Sequence, residues 1–417
     1  MFQPPKGTRD ILPEEMEKME FVKSVLKRTF EKYGFRPLET PAFESFELLS
    51  AKGGAGEAIK DEIYYFEDKS GRPLGLRFDL TVPLARVLAN NPDLPKPFKR
   101  YQIGKVWRYD NPQSMRWREF SQADIDIVGS SSLLTDTECA ACFTECLKNL
   151  GFKDFYIRLN NRKLIENLLL AIGVKKDKVL DVFRTIDKFD KIGLDGVKKE
   201  LKDKGFNPEK ITKLIKNSGT NKEILDRLRE EFGTSEGLEE LREILSLSKS
   251  FGVEKYLKID LSLVRGLEYY TGPVFEVMLK KADVSIGGGG RYDNLIKTFG
   301  GPDLPATGLS FGLDRLLSLV EGFDSKRTKI LVAPVEESLR EKALSVCQEI
   351  RGQGFACEID LMDRKFSKQL DYANSLKIPY VVIIGRKELK QKKVKLKDMK
   401  TGKEKLISLK DLKKSIK

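Results

Sequence analysis

From Glu14 to Lys32 the chain reads EEMEKMEFVKSVLKRTFEK, with apolar residues at helical spacing, and Gly34 ends the run. The next stretch, FRPLETPAFESFELL, carries Pro37 and Pro41. Proline cannot donate to a ladder, so this segment predicts an extended edge rather than a central strand. Alternation follows. In LRFDLTV a period of two sets Arg77, Asp79 and Thr81 on one face and Leu76, Phe78, Leu80 and Val82 on the other. In FSQADIDIVG it sets Gln122, Asp124 and Asp126 against Ala123, Ile125 and Ile127. Such faces suit an antiparallel sheet with one wet side, or a polar site built on that side.

Residues 172–252 change to amphipathic, lysine- and glutamate-rich text broken by Gly205-Phe206-Asn207-Pro208, Asn217-Ser218-Gly219 and Gly233-Thr234-Ser235, which predicts an all-helical insertion. LVRGLEYYTGPVFEV, Leu263 to Val277, reads as a strand reaching a Gly272-Pro273 turn, yet it holds Arg265, Glu268, Tyr269 and Tyr270 together. VSIGGGGR reads as a strand running into four glycines, a run that a tight turn or a close backbone approach would explain equally. ATGLSFGLDRLLSLV passes from a strand end into a helix carrying Arg315. From Thr328 strands and helices alternate (KILVAPV, ESLREKALSVCQEIRGQG, ACEIDL, KFSKQLDYANSLKI, PYVVIIG), and a basic hairpin turns near Thr401-Gly402. That pattern predicts a small α/β module with a mostly parallel sheet.

Composition narrows the chemistry. The chain has 417 residues, 40% hydrophobic and 33% charged, enough for two or three domains. No apolar run nears the roughly 20 residues that cross a bilayer, and MFQPPKGTRD has no apolar signal region, so a cytoplasmic location is expected. Five cysteines suggest no disulfide framework; Cys139, Cys142 and Cys146 fall on one helix face, as buried small side chains or, less simply, as metal ligands. From Arg386 to Lys417 there are 14 Lys or Arg against 4 Asp or Glu, most of the chain's +13, which is a polyanion-binding surface or a solubilising end. There is no histidine at all. Any catalysis must therefore rest on arginines, carboxylates, hydroxyls and a bound metal.

GKVWRYDNPQSMRWREFSQADIDIVG, Gly104 to Gly129, predicts a hairpin presenting Arg108, Arg116, Arg118 and Phe120 above the polar floor of Gln122, Asp124 and Asp126. Guanidinium forks on phosphate oxygens and a ring on a base would suit a nucleotide. No G-x4-G-K-[S/T] loop is present, so a nucleotide would be held in another way.

In order and spacing, PKGTRDILP, ETPAFE, this hairpin and GLSFGLDRL resemble the ordered motifs of class II aminoacyl-tRNA synthetases, and LRFDLTVPLAR and LVRGLEYYTG resemble segments of the histidyl-tRNA synthetase family, in an archaeal and eukaryotic style. The resemblance covers nearly the whole chain. It implies an α+β catalytic domain on an antiparallel sheet (1–171 and 253–325), the helical insertion (172–252) and a C-terminal α/β anticodon-binding domain (328–417). It implies that Arg108 and Arg315 hold ATP phosphates, Asp110 and Arg116 assist, and Phe120 stacks on adenine. Asp79, Thr81 and Gln122 would take the substrate ammonium; Asp126 and Tyr270 would read the imidazole, with Tyr269 and Glu268 beside them. Arg265 would bridge the amino-acid carboxylate and the α-phosphate as a catalytic charge. The implied reaction is ATP-dependent ligation of histidine to tRNA through histidyl-adenylate, with Mg2+ on the phosphates, acceptor-end and anticodon contacts to tRNA, and a homodimer. Departures are Glu268 where aspartate is commoner and Met115 where glycine is expected. A histidine-sensing regulatory subunit of ATP phosphoribosyltransferase would share the fold but lose catalytic arginines, and prolyl, threonyl or glycyl enzymes share the fold type; histidine-dependent pyrophosphate exchange separates all of these.

Overall fold

The alternating text from Phe98 to Val128 forms two adjacent strands inside the molecule's main sheet. Strands β1 (Arg36–Pro37), β2 (Phe43–Ser45), β3 (Tyr65–Glu67), β4 (Pro73–Leu76), β5 (Phe98–Trp107), β6 (Glu119–Val128), β7 (Phe155–Asn161), β8 (Leu257–Ile259), β9 (Pro273–Leu279), β10 (Val284–Arg291) and β11 (Ala306–Gly312) belong to a first unit, Met1–Phe323. The structure is a computed structural model; it describes residues 2–51, 61–111, 116–215, 218–264, 269–280, 284–323 and 328–416.

The eight-stranded sheet has the order β1-β5-β6-β11-β10-β9-β7-β8. The six inner strands run antiparallel, while β1 and β8 join the two edges in parallel. Its apolar face, with Ala123, Ile125, Ile127 and Phe311, packs under helices α1 (Pro13–Lys32) and, further along the chain, Leu133–Asn149. Phe143 of that helix stacks on Phe311 at 3.8 Å, and neither ring has exposed surface. Full burial of such a ring contributes about 1.5–3 kcal/mol. Cys139, Cys142 and Cys146 are buried in the same layer as core side chains.

The four glycines lie inside β10 and make no turn. A Cβ on Gly289 would sit 2.9 Å from Leu309 Cα, so close strand pairing with β11 excludes a side chain there. Between β7 and β8 the chain is helical: α5 (Arg162–Ala171), α6 (Val179–Ile186), α7 (Phe189–Asp203), α8 (Pro208–Ile215), α9 (Asn221–Phe232) and α10 (Glu236–Ser250), with α2 (Phe46–Ser50), α3 (Thr81–Asn90) and α4 (Leu133–Asn149) before them and α11 (Leu295–Thr298) and α12 (Leu313–Leu319) after. Asp190 of α7 pairs with Arg158 of β7 at 2.7 Å, and Arg158 also meets Asp260 and Glu276.

Two sequence expectations need correction. LRFDLTV is not one strand: β4 stops at Leu76 and α3 starts at Thr81. The reason is capping, since Asp79 Oδ1 accepts the Val82 amide at 3.0 Å and so closes the first turn of α3. Likewise the strand at the end of LVRGLEYYTGPVFEV starts at Pro273 rather than before it; Tyr269 and Tyr270 are buried against Leu84, Leu88 and Leu295, outside any ladder.

The second unit, Asp324–Lys417, carries β12 (Ile330–Pro334), β13 (Cys357–Ile359), β14 (Tyr380–Ile384), β15 (Val394–Asp398) and β16 (Glu404–Ile407) in the order β13-β12-β14-β15-β16. The first three are parallel and the last two form the antiparallel hairpin, turned at Gly402 with φ 71°. Helices α13 (Arg340–Gly352) and α14 (Phe366–Ser375) cover it, each with its own apolar cluster on the sheet.

Candidate active site on the open face of the sheet

Register sets the floor of the site. Arg100 and Gln102 of β5 stand opposite Asp126 and Asp124 of β6, and Gly308 and Ser310 of β11 stand opposite the same two aspartates. Opposed residues share a face, so a guanidinium and two carboxylates meet on three adjacent strands. Arg100, with no exposed surface, lies 2.7 Å from Asp126 Oδ2 and donates to the Leu80 carbonyl. The Tyr292 hydroxyl donates to Asp126 Oδ1. Ser310 is hydrogen-bonded to Asp124, and its hydroxyl accepts from Gln122 Nε2 at 2.8 Å. Asp79 joins from the turn before α3.

Burial dominates the titration of these acids. It pushes Asp79 up to about 6, against the amides of Val82 and Thr81 and the charges of Arg108 and Arg100. It pushes Asp124 up to about 7; Arg100 opposes this, while Asp126 and Asp79 reinforce it. Asp126 is raised by burial as well, against the pull of Arg100. Among the described residues, Asp79 Oδ2, Asp124 Oδ1 and Gln122 Oε1 are buried without a hydrogen-bond partner. Buried polar atoms are seldom left so. Asp126 Oδ2 and, on Arg100, Nε and Nη1 also lack hydrogen bonds on this floor, so it suits a ligand that brings N–H groups to the acceptors and an acceptor to the guanidinium.

The neighbouring region has the opposite sign. Arg108 Nε donates to the Phe78 carbonyl at 3.0 Å, and its guanidinium lies 5.4 Å from the centre of the Phe120 ring. Arg315 of α12 donates to the Ser285 carbonyl at 3.1 Å. Its proton affinity is pushed down, first by burial and then by the fields of Arg116 and Arg108, with Glu276 opposing. An arginine keeps its proton in any case; the direction reports mutual repulsion among guanidinium groups. Arg116 is paired with Asp110. Three such cations beside one aromatic ring match a polyphosphate carrying a flat base. A cavity of about 850 Å³ runs from Arg315 and Ser285 past Glu276 and Arg158 toward Asp190.

The sequence-selected residues divide accordingly. Asp79, Gln122 and Asp126 converge on the acidic floor, with Thr81 opening α3 beside Asp79. Arg108, Asp110, Arg116, Phe120 and Arg315 gather at the basic end. Tyr269 and Tyr270 lie 4.8 Å apart, ring centre to ring centre, and Tyr269 meets Tyr292 edge-on at 5.9 Å. Arg265, Glu268 and Met115 lie outside the described residues. Sequence reasoning missed Arg100 and Tyr292. Alternation through FKRYQIGKVW would have placed Arg100 on the floor; for Tyr292, which follows β10, the sequence carries no local signal.

The model of the histidyl-tRNA synthetase family matches residues 7–316, and that of the anticodon binding domain matches 329–417. A histidine–tRNA ligase of Clostridium tetani is 41% identical over 431 residues, covering 99% of this chain and 97% of that one. One from the archaeon Thermococcus kodakarensis is 38% identical over 414 residues, covering 95% and 94%. Among solved structures, histidyl-tRNA synthetase from Nostoc sp. PCC 7120 superposes with a TM-score of 0.87 at 33% identity over the full length of both chains. A protein of Bacillus halodurans described as an ATP phosphoribosyltransferase regulatory subunit/histidyl-tRNA synthetase shares the fold, with a TM-score of 0.78 at 23% identity over 90% of this chain and 96% of that one.

Proposed function

We propose a working arrangement of this site from one premise: the chain belongs to the histidyl-tRNA synthetase family, a histidine–tRNA ligase with ATP as co-substrate. Histidine lies across the acidic floor, its ammonium toward Asp79, Thr81 and Gln122, its ring toward Asp126, Tyr270 and Tyr292. ATP lies at the basic end, phosphates on Arg108, Arg116 and Arg315 and adenine on Phe120, with Asp110 fixing Arg116. One observation carries the arrangement: unpartnered buried acceptors and mutually repelling guanidinium groups adjoin on one sheet face.

Activation is attack of the histidine carboxylate on the α-phosphorus, releasing pyrophosphate and leaving histidyl-adenylate; a ribose hydroxyl at the tRNA end then attacks the acyl carbon, its proton passing to a phosphate oxygen of the adenylate as AMP leaves. Asp79 and Gln122 fix the amino end, so that the carboxylate points at the phosphates and the two reactants need no further search. By its place in the family pattern Arg265 supplies positive charge where the transition state gathers negative charge. No side chain need act as general base, because the attacking carboxylate is already ionised, and this agrees with a chain that contains no histidine.

Magnesium would arrive on the nucleotide. No group of three acidic or sulfur side chains among the described residues is arranged to hold an ion, and Glu276 is tied to Arg158, so phosphate oxygens and water would supply most of its ligands. Bound there it would neutralise phosphate charge. We propose a homodimer in the cytoplasm, with the basic second unit on the anticodon; no described helix is long and apolar enough to cross a membrane.

Pyrophosphate exchange with each of the twenty amino acids tests the reading, and it should respond to histidine alone. Arg265→Ala should lower the exchange rate by about 10²–10³, the usual loss of one preorganised charge, with histidine affinity little changed. An equal loss in both quantities would remove its catalytic role.

A further inference from the structure

We infer that Asp124 is a further specificity-determining residue: it is the carboxylate that makes the pocket take histidine with its ring as imidazolium, an inference that rests on the histidine reading of the site above.

Asp126 already has a charge partner, although its Oδ2, like Asp124 Oδ1, makes no hydrogen bond among the described residues. Its Oδ1 receives the Tyr292 hydroxyl, and its Oδ2 faces Arg100 at 2.7 Å. Asp124, two residues earlier on the same strand and 3% exposed, has one oxygen toward Ser310 and leaves Oδ1 without a partner among the described residues. Alternate residues on a strand stand about 7 Å apart, so Asp124 lies between the Gln122 end, where the ammonium belongs, and the Asp126 end, where the ring belongs.

Above about pH 7, once Asp79 and Asp124 have lost their protons, the charges on this floor do not balance. Among the described residues, Asp79, Asp124 and Asp126 are carboxylates, and Arg100, with no exposed surface, faces them; Arg108 acts on Asp79 from the nucleotide end, and Arg77, itself buried, lies beside Gly104 with Glu39 as its partner. Gln102 on β5, Gln122 on β6, Ser310 on β11 and Tyr292 after β10 are neutral. An α-ammonium answers one missing charge. A second cationic group answers the next.

Imidazole has one N–H donor and imidazolium has two. An opposite charge within about 4–6 Å raises a group's pKa by 1–3; on this inference Asp124, added to Asp126, outweighs burial and the Arg100 guanidinium, which pull the other way, and lifts the ring from about 6.5 to above neutrality. Burial keeps Asp124 itself protonated up to about pH 7. Near neutrality the proton therefore passes from the Asp124 carboxyl to the ring nitrogen; at higher pH it comes from the solvent.

The test is calorimetric titration of the full-length protein with histidine at pH 8, in phosphate and in Tris, whose ionisation enthalpies differ. Wild type should take up about one proton per histidine, because the free ring is neutral at this pH. Asp124→Asn should take up close to none and bind histidine about ten- to hundredfold more weakly, the change expected for one lost carboxylate beside a cation. Triazolylalanine, whose ring does not protonate at this pH, should bind wild type poorly, with the gap to histidine narrowed in Asp124→Asn. Negligible uptake by wild type overturns the inference whatever the variant does. Equal uptake by both proteins also overturns it, since the proton would then be held without Asp124. Failure of histidine to bind wild type at all would bring down the site reading itself, an outcome distinct from histidine bound with no proton taken up.

Discussion

Gly308 is the narrowest point of the proposed histidine floor, and its replacement by alanine gives a sharp test. A Cβ at this position would lie 2.7 Å from Asp126 Cγ and 2.7 Å from the Ile125 carbonyl oxygen. Ordinary contact between carbon atoms is about 3.5–4.0 Å, so the carboxyl group must retreat by about 1 Å. It cannot do so freely, because Tyr292 holds one of its oxygens and Arg100 faces the other. The Ile125 carbonyl belongs to β6 itself and yields only if the strand shifts. Overpacking of this kind costs about 1–3 kcal/mol in stability, which a chain of two well-buried units should survive. The functional cost is larger: displacement of a positioning group by about 1 Å is worth roughly 10²-fold, or about 2.7 kcal/mol of transition-state binding. Pyrophosphate exchange should therefore show kcat/KM for histidine reduced about a hundredfold, while the KM for ATP stays within about twofold, since Arg108 and Arg315 lie outside the disturbed strand pair and Phe120 is six residues along β6 from Asp126. A variant folded by near-ultraviolet dichroism, with kcat/KM for histidine within threefold of wild type, would mean that Asp126 does not underlie the substrate.

Phe120→Ala should raise the KM for ATP by about ten- to a hundredfold, because a stacked base is worth about 1–3 kcal/mol, with histidine affinity unchanged; an unaltered KM for ATP would put adenine elsewhere. Without ligands, Asp79 and Asp124 hold protons more tightly in the folded chain, at about 6 and about 7, than at their ordinary 3.8. Their contribution is therefore complete below about pH 4 and is lost as pH rises through 6 and 7. Asp124→Asn should be more stable than wild type at pH 8 by about 2–4 kcal/mol, at 1.4 kcal/mol per tenfold in proton affinity, and level with it near pH 4; urea unfolding at both pH values checks this, and a gap independent of pH refutes it. Removal of residues 328–417 should spare histidyl-adenylate formation and weaken charging of tRNA; a truncated chain that charges tRNA normally would refute the anticodon assignment.

Much of this was legible in the linear text. Ala123, Ile125 and Ile127 alternate cleanly with Gln122, Asp124 and Asp126 because one face of β6 packs on α1 and α4 while the other, covered by α3 and α11 only near Val128, carries the polar floor. Asp79 misled for the same reason that it matters. A residue that closes the first turn of a helix beside a buried acidic floor sits in a turn, and a turn flanked by Leu76, Phe78 and Leu80 imitates alternation. The four glycines left a tight turn and a close backbone approach equally open, because sequence shows the missing side chains but not the neighbouring strand whose backbone excludes them. Arg100 was readable, since it alternates in step with Gln102 and Gly104 along β5, but a charge beside Lys99 draws little attention until the register puts Asp126 opposite it. Tyr292 was not readable: its contact with Asp126 spans 166 positions.

The helices from Arg162 to Ser250 occupy a particular place in the topology, between β7 and its parallel neighbour β8. Parallel neighbours cannot be joined by a tight hairpin; the chain has to travel out and come back over a dozen residues or more. Some excursion is thus obligatory here, but its length beyond that minimum is unconstrained by the ladder, whose pairs run from Ile157 with Leu257 to Leu159 with Ile259. A lineage can lengthen, shorten or reface this excursion without moving a single floor residue. The outer faces of these helices can then diverge while the residues of the floor stay in place.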